Sequence, residues 1–270
     1  MNNNQPIGVL DSGIGGLTVV KKIIKYLPNE NIIYIGDTAR VPWGTRSKKT
    51  IITFSLQLAN FLSRKKVKFI VLACHTASSI ALSTLRKKIK IPLMGVIKPS
   101  ITPTLLKTKN HRIGIIGTPA TIRSNIWEKA LKKRNKQVKI FSASCPLFVP
   151  LVEEELFNHQ ITKIIAKEYL QPLFKKRIDT LVLACTHYPL LKGVIKKTTG
   201  KQVALINPGK MTAKALAKKF KNKQLPSRLK KGNIKLYFTD SDLPNTKKLE
   251  KYLGKKIYSS IIKQINLNET

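Results

Sequence analysis

The chain has 270 residues, 42% of them hydrophobic, with 51 Lys and Arg against 13 Asp and Glu and a formal net charge of +38. That length accommodates one large or two smaller α/β domains, and no run approaches the roughly 20 apolar residues needed to span a bilayer. The start, MNNNQP, lacks the features of a secretory signal, so a cytoplasmic protein without a membrane span is expected, its three widely spaced cysteines kept as free thiols.

Short apolar runs alternate with helix-length amphipathic segments. IGVL (7–10) is the first strand candidate and runs into Asp11, Ser12 and Gly13; NIIYIG (31–36) is the second. The helical pattern SKKTIITFSLQLANFLSRKK then leads to KFIVLA (68–73), which ends on Cys74. LMGVI (93–97), RIGIIG (112–117), which meets Thr118, and VKIF (138–141) follow. A second helical pattern, NHQITKIIAKEYLQPLFKK, leads to DTLVLA (179–184), ending on Cys185, and then come QVALI (202–206) and IKLYF (234–238). This alternation predicts an α/β fold with mainly parallel sheets, and ligands at the carboxyl ends of the strands.

VLACHT (71–76) and VLACTH (182–187) are near copies, each preceded by a basic segment, SRKKVK and FKKRID. The echo predicts two similar α/β domains facing one another, with both cysteines and the active site in the cleft between them. Pro99, Pro103 and Pro208 mark the expected boundaries. The first domain would comprise 1–98 plus 207–270, and the second 99–206. The positive charge is dispersed, densest in 210–231, and reads as a compositional bias on solvated helix faces. Contact with nucleic acid is then expected to be non-specific.

A thiol acts as a base only when ionised, and an ordinary cysteine titrates near ~8.5, so its neighbours must supply polar or cationic help. Cys74 is followed by His75 and Thr76, and Cys185 by Thr186 and His187. Two such groups on opposite sides of one carbon can remove a proton from one face and return one to the other. The pocket must also hold carboxylate and ammonium groups. Hydroxyls and N–H groups at Ser12, Gly13, Gly44, Thr76, Thr118, Thr121 and Thr186 suit carboxylates, and Asp11 suits the ammonium or a proton transfer.

Six ordered segments carry a resemblance: DSGIGGLTV (11–19), YIGDTARVPWGTRS (34–47), LACHTASS (72–79), IGTPATIRS (116–124), CPLFVPLVEEE (145–155) and LACTHYPLL (183–191). Together they resemble glutamate racemase, of the aspartate/glutamate racemase superfamily, fading after about residue 206. The resemblance implies cofactor-independent interconversion of L- and D-glutamate for peptidoglycan, two facing α/β domains and commonly a homodimer. It implies Cys74 and Cys185 as acid/base thiols, Asp11 and His187 as their assistants, and Glu153 as a further acidic site residue. Substrate contacts are implied for Asp11 with Ser12, Trp43 with Gly44, His75 with Thr76, and Thr186 with His187.

Departures from the family pattern bear on rate and affinity. His75 stands where the motif has asparagine, and can donate a hydrogen bond or carry a charge that would lower the Cys74 pKa. Trp43 replaces the tyrosine of P-Y-G, exchanging a hydroxyl for an indole N–H. Lys98 stands where the family often has glutamate, and Asn207-Pro208-Gly209 replaces an acidic run.

Other chemistries fit less well. Zinc is disfavoured because neighbouring residues on one strand point to opposite sides and no C-x2-C spacing exists. DSGIGG lacks the lysine of a phosphate loop and the spacing of a dinucleotide fingerprint, so no cofactor is expected. Cys145 reads as a packed thiol, and His111 and His159 as solvent-facing. The rival readings are a racemase for aspartate or another acidic amino acid, and a basic nucleic-acid-binding protein on a racemase scaffold with reduced turnover.

Overall fold

A computed structural model describes residues 4–222 and 231–267. Among these residues, ten strands form two fully parallel sheets: β1 Ile7–Asp11, β2 Ile32–Gly36, β3 Phe69–Leu72, β4 Leu93–Gly95, β5 Arg112–Gly117, β6 Lys139–Ser144, β7 Thr180–Ala184, β8 Ala204–Ile206, β9 Ile234–Phe238 and β10 Ile262–Gln264. Twelve helices connect or flank them: α1 Leu17–Tyr26, α2 Lys48–Arg64, α3 His75–Ile80, α4 Leu82–Lys88, α5 Lys98–Lys107, α6 Pro119–Arg123, α7 Ile126–Arg134, α8 Phe148–Glu153, α9 Gln160–Phe174, α10 Lys192–Thr199, α11 Pro208–Asn222 and α12 Thr246–Leu253.

The first sheet has the order β10-β9-β2-β1-β3-β4, and the second β6-β5-β7-β8. Removing β9 and β10 leaves β2-β1-β3-β4, which maps strand for strand onto the second sheet. The echo between VLACHT and VLACTH is therefore topological as well: β3 and β7 are the same strand of two matching units. Lys66 and Arg177, each three residues before these strands, both adopt left-handed backbone (φ 53° and 52°), so even the entry turns correspond.

Each order reverses direction beside its first strand, between β1 and β3 and between β5 and β7. That reversal opens a crevice at the carboxyl ends, because the connections on its two sides leave toward opposite faces. Asp11 ends β1 and Cys74 follows β3 at the first crevice; Thr118 and Cys185 follow β5 and β7 at the second. Strands β1, β2, β3 and β7 are largely apolar and buried at every position, as parallel strands covered on both faces must be. The largest apolar cluster runs continuously from Ile7, Val9 and Tyr34 of the first sheet to Leu181 of the second sheet and Phe148 and Tyr188 beside it.

Several strand limits differ from expectation. LMGVI pairs only through Gly95, because the chain turns into α5, whose N-terminal turn contains Pro99. QVALI pairs only over Ala204–Ile206, whereas VKIF starts one residue later and continues to Ser144 along the full length of β5. The short edge strand β10 was not expected; its sequence, IKQ, carries no strand pattern. The expected density of lysines over 210–231 falls partly on residues 223–230, outside the described ones. No described helix is long and apolar enough to cross a membrane.

Candidate active site

Cys74 and Cys185 line one narrow cavity together with Ser12, Trp43, Gly44, His75, Thr76, Thr118, Glu153, Thr186 and His187. Both thiols are nearly inaccessible, at 5% and 6% relative exposure. Strand β3 delivers Cys74 to the first turn of α3, where its Sγ accepts the N–H of Ala77 at 3.4 Å as a helix cap. Thr118 does the equivalent after β5: its Oγ1 caps α6 by accepting the N–H of Thr121 at 3.4 Å. The two helix starts meet through a triangle of hydroxyls, with Thr76 Oγ1 3.0 Å from Thr118 Oγ1 and 3.2 Å from Thr121 Oγ1, and the last two 3.0 Å apart. Hydroxyls at converging helix starts favour an anionic group.

The surroundings of the two thiols differ. Beside Cys185, His187 Nδ1 lies 3.8 Å from Sγ, and its Nε2 lies 2.7 Å from Glu153 Oε1. Burial opposes charge on His187, but hydrogen bonds to Cys185 and Glu153 outweigh it and raise its pKa to about 10. Burial also works against ionised Glu153, yet the His187 contact and Lys248 hold its carboxyl below the ordinary value. An imidazolium–carboxylate pair thus stands behind Cys185.

Cys74 has no such cation. Burial, followed by the charge of Asp11, pushes its thiol up to about 12, against hydrogen bonds from Ser12 and Ala77. His75 does not help, contrary to expectation. It is buried, neither ring nitrogen has a partner, and desolvation lowers its pKa to about 3, so at neutral pH it is uncharged. A charge needs solvent or a counter-ion, and this ring has neither.

Asp11 is fully buried at the end of β1. Its Oδ2 accepts the N–H of Gly16 at 2.8 Å and of Gly13 at 3.3 Å, while Oδ1 has no partner. Burial raises its pKa to about 6, with His187 and the N–H groups of Gly16, Gly13 and Ser12 pulling the other way. Asp11 lies behind the cavity wall, as does Thr121, which reaches the site only through the hydroxyl triangle.

Trp43 also departs from expectation. Its indole N–H donates to Asp37 Oδ2 at 3.0 Å and is thereby committed within the protein, leaving the ring as an apolar wall. Gly44 is explained by contact: an added Cβ would sit 2.7 Å from Thr118 Cβ. Gly15, in DSGIGG, is tighter still, with His187 and Thr186 side-chain atoms 2.5 Å from such a Cβ. The glycine-rich turn after β1 lets the first unit approach His187 of the second.

Val41, Pro42, Val149 and Ala184 complete the lining and carry no reactive group, so no sequence signal singles them out. Cys145 is fully buried, and His111 and His159 are exposed. Among the described residues no group of three or more His, Cys, Asp and Glu is arranged to hold a metal ion.

Equivalent strand ends that each bring a thiol to one cavity define a class, the two-cysteine amino-acid racemases of α/β fold. The Asp/Glu/Hydantoin racemase family model matches residues 7–216. A glutamate racemase of Aquifex aeolicus is 43% identical over 259 residues, covering 96% of this chain and 98% of that protein. The glutamate racemase of Francisella tularensis, solved in complex with D-glutamate, superposes with a TM-score of 0.91 at 38% identity, over 99% of this chain and 100% of that one. A glutamate racemase isoform of Bacillus anthracis gives a TM-score of 0.91 at 37% identity, over 98% and 99% of the two chains. The chain belongs to the Asp/Glu/Hydantoin racemase family, among its glutamate racemases.

Proposed function

We propose that the protein interconverts L- and D-glutamate without a cofactor, using Cys74 and Cys185 as the two acid/base groups. The observation that carries this reading is the convergence of two strand-end thiols on one cavity, from equivalent positions of two matching sheets. The ionised thiol on one face takes the α-proton, and the electron pair left on the α-carbon delocalises into the adjacent carboxylate. The thiol on the other face then donates its proton to that carbon. One thiol and one thiolate remain, with their roles exchanged.

The neighbours divide the remaining work. His187, held by Glu153, supplies positive charge beside Cys185. Cys74 lacks a cation of its own, and the ammonium of the bound substrate supplies it, attracted by the Asp11 carboxylate behind the cavity wall. Substrate carboxylates take Ser12, Gly44, Thr76, Thr118 and Thr186, with Thr121 supporting the hydroxyl triangle. Trp43 and His75 shape the wall, which also excludes water that would otherwise quench the carbanion.

Division into 1–98 plus 207–270 and 99–206 is part of the proposal, supported by the membership of each strand in its sheet. So are a cytoplasmic location, a homodimer and a role in supplying D-glutamate for peptidoglycan, all resting on the family. The dispersed charge supports no more than non-specific contact with nucleic acid.

The test is α-proton exchange in deuterated water, starting from each enantiomer of glutamate and of aspartate, with wild type, Cys74→Ser and Cys185→Ser. Wild type should racemize glutamate in preference to aspartate, and each serine variant should lose racemization. Normal racemization by both single variants would rule out the two-thiol mechanism.

A further inference from the structure

Helix α12 belongs to the C-terminal part of the chain, whose strands extend the first sheet, yet it is fastened to residues of the second unit. Lys248 Nζ lies 3.3 Å from Glu153 Oε2, and Lys251 pairs with Glu155. The Tyr252 hydroxyl donates to the carbonyl of Val152 at 3.3 Å, and its ring meets His187 edge-on, with centroids 6.1 Å apart and planes at 89°. Asn245 caps the helix by accepting the N–H of Lys248 at 2.8 Å, which fixes the backbone from which that lysine extends. Residues four apart share a helix face, so α12 places Lys248 against Glu153 and Tyr252 against His187.

The Glu153 carboxylate is therefore held at both oxygens, Oε1 by His187 at 2.7 Å and Oε2 by Lys248. Its side chain is 29% exposed, so without a second partner it is free to rotate and to exchange water for imidazole. Several charged or titratable groups act on His187: Cys185 beyond β7, Glu153 on α8, Asp11 at the end of β1 and Tyr252 on α12. Lys248 acts one step removed, by holding Glu153 Oε2 and so keeping Oε1 on the imidazole.

We propose that Lys248 is a positioning residue for racemization, which fixes Glu153 against His187 and so governs proton transfer on the Cys185 face of the substrate but not on the Cys74 face. The proposal rests on the two-thiol reading. It differs from simple docking of α12, which Lys251 also serves without touching the His187–Glu153 pair. Because L- and D-glutamate are equal in free energy, kcat/KM must fall equally in both directions. The asymmetry must therefore appear in isotope effects: weakening transfer at Cys185 makes abstraction there more rate-limiting for one enantiomer only.

The experiment compares Lys248→Met, Lys248→Arg and Lys251→Met in the full-length protein, with glutamate deuterated at the α-carbon. Lys248→Met should lower kcat roughly tenfold, a loss typical of one charge-assisted hydrogen bond discounted for partial exposure, with little change in KM. The substrate isotope effect should rise for one enantiomer and not for the other. Lys248→Arg should restore most of the rate, and Lys251→Met should remain near wild type. NMR titration of the His187 imidazole should move to lower pH in Lys248→Met alone, since Glu153, whose contact raises that pKa, is then free to leave the imidazole. Equal losses in Lys248→Met and Lys251→Met, or unchanged isotope effects and an unchanged His187 titration in Lys248→Met, would overturn the proposal. Failure of wild type to racemize glutamate would instead sink the two-thiol reading, and the NMR titration would still decide whether Lys248 acts on His187.

Discussion

The imidazole of His75 lies nearly parallel to the indole of Trp127, with ring centroids 6.2 Å apart and planes 17° apart. Trp127 comes from α7, in the second unit, so this stack is one of the contacts by which the two units close around Cys74. The ring is buried and uncharged, and its nitrogens have no protein partner. What it offers a substrate is a single neutral donor, which an asparagine amide also supplies. His75→Asn should therefore retain or raise kcat. A fall of more than about tenfold, or ~1.4 kcal/mol in the barrier, would show that the histidine has a catalytic role of its own.

The same burial gives His75 a signature in stability. Its folded pKa of about 3 lies below the ordinary 6.5, so between these values the unfolded chain takes up a proton that the folded chain refuses. Stability is thus undiminished above pH 6.5 and is lost progressively as pH falls toward 3. Asp11 has the opposite sign: its pKa is raised from 3.8 to about 6, so its penalty is absent below 3.8 and complete above 6. Comparing His75→Asn with wild type cancels Asp11, which both share. In urea unfolding, the variant should gain on the order of 2 kcal/mol relative to wild type between pH 7 and pH 5. A constant difference across that range would mean that His75 is not held neutral.

Gly15 tests how closely the two units must approach. An alanine Cβ there would meet His187 Cε1 and Thr186 Oγ1 at 2.5 Å, and neither neighbour is free to leave. His187 is tied to Glu153, and the carbonyl of Thr186 accepts the Thr18 hydroxyl at 2.8 Å. Gly15→Ala should displace the imidazole and lower kcat by about a hundredfold, as ångström-scale misplacement of a catalytic group does. Circular dichroism should remain that of the wild type. Near-normal turnover would mean that the turn after β1 relaxes without moving His187.

Much of this arrangement was legible in the sequence, for a physical reason. Parallel strands buried on both faces read as continuous apolar runs, and each of the nine expected runs forms a strand. The residues after them, Asp11, Cys74, Thr118 and Cys185, fall at the crevices because the sheet order departs from the chain order at the same place in both units, beside the first strand. What the sequence did not disclose depends on packing between units. Nothing in ACHT says that His75 is desolvated by Trp127, since that follows from where α7 lies. Lys248 was equally hidden: in a chain with 51 Lys and Arg, no local pattern marks the one that reaches Glu153. The limits of β4 and β8 were missed because apolar residues lie beyond the paired positions, Val96 and Ile97 after β4 and Val203 before β8.

Trp43 gives the last test, because its expected use and its observed use differ. Had the indole N–H faced the substrate, Trp43→Phe would chiefly raise KM. Instead the N–H donates to Asp37, a fully buried carboxylate that also receives Arg40 Nε at 2.8 Å and the Thr239 hydroxyl at 2.9 Å. Phenylalanine keeps an aromatic wall near Phe54, whose ring centroid lies 5.7 Å from that of Trp43, but it removes one of three donors from a buried charge. The cost should appear as stability, about 1 to 3 kcal/mol in urea unfolding, with KM for glutamate little changed. A large rise in KM at unchanged stability would place the indole N–H on the substrate after all. Tyrosine at this position should fall between the two outcomes, because its hydroxyl extends the ring in a direction different from the indole nitrogen.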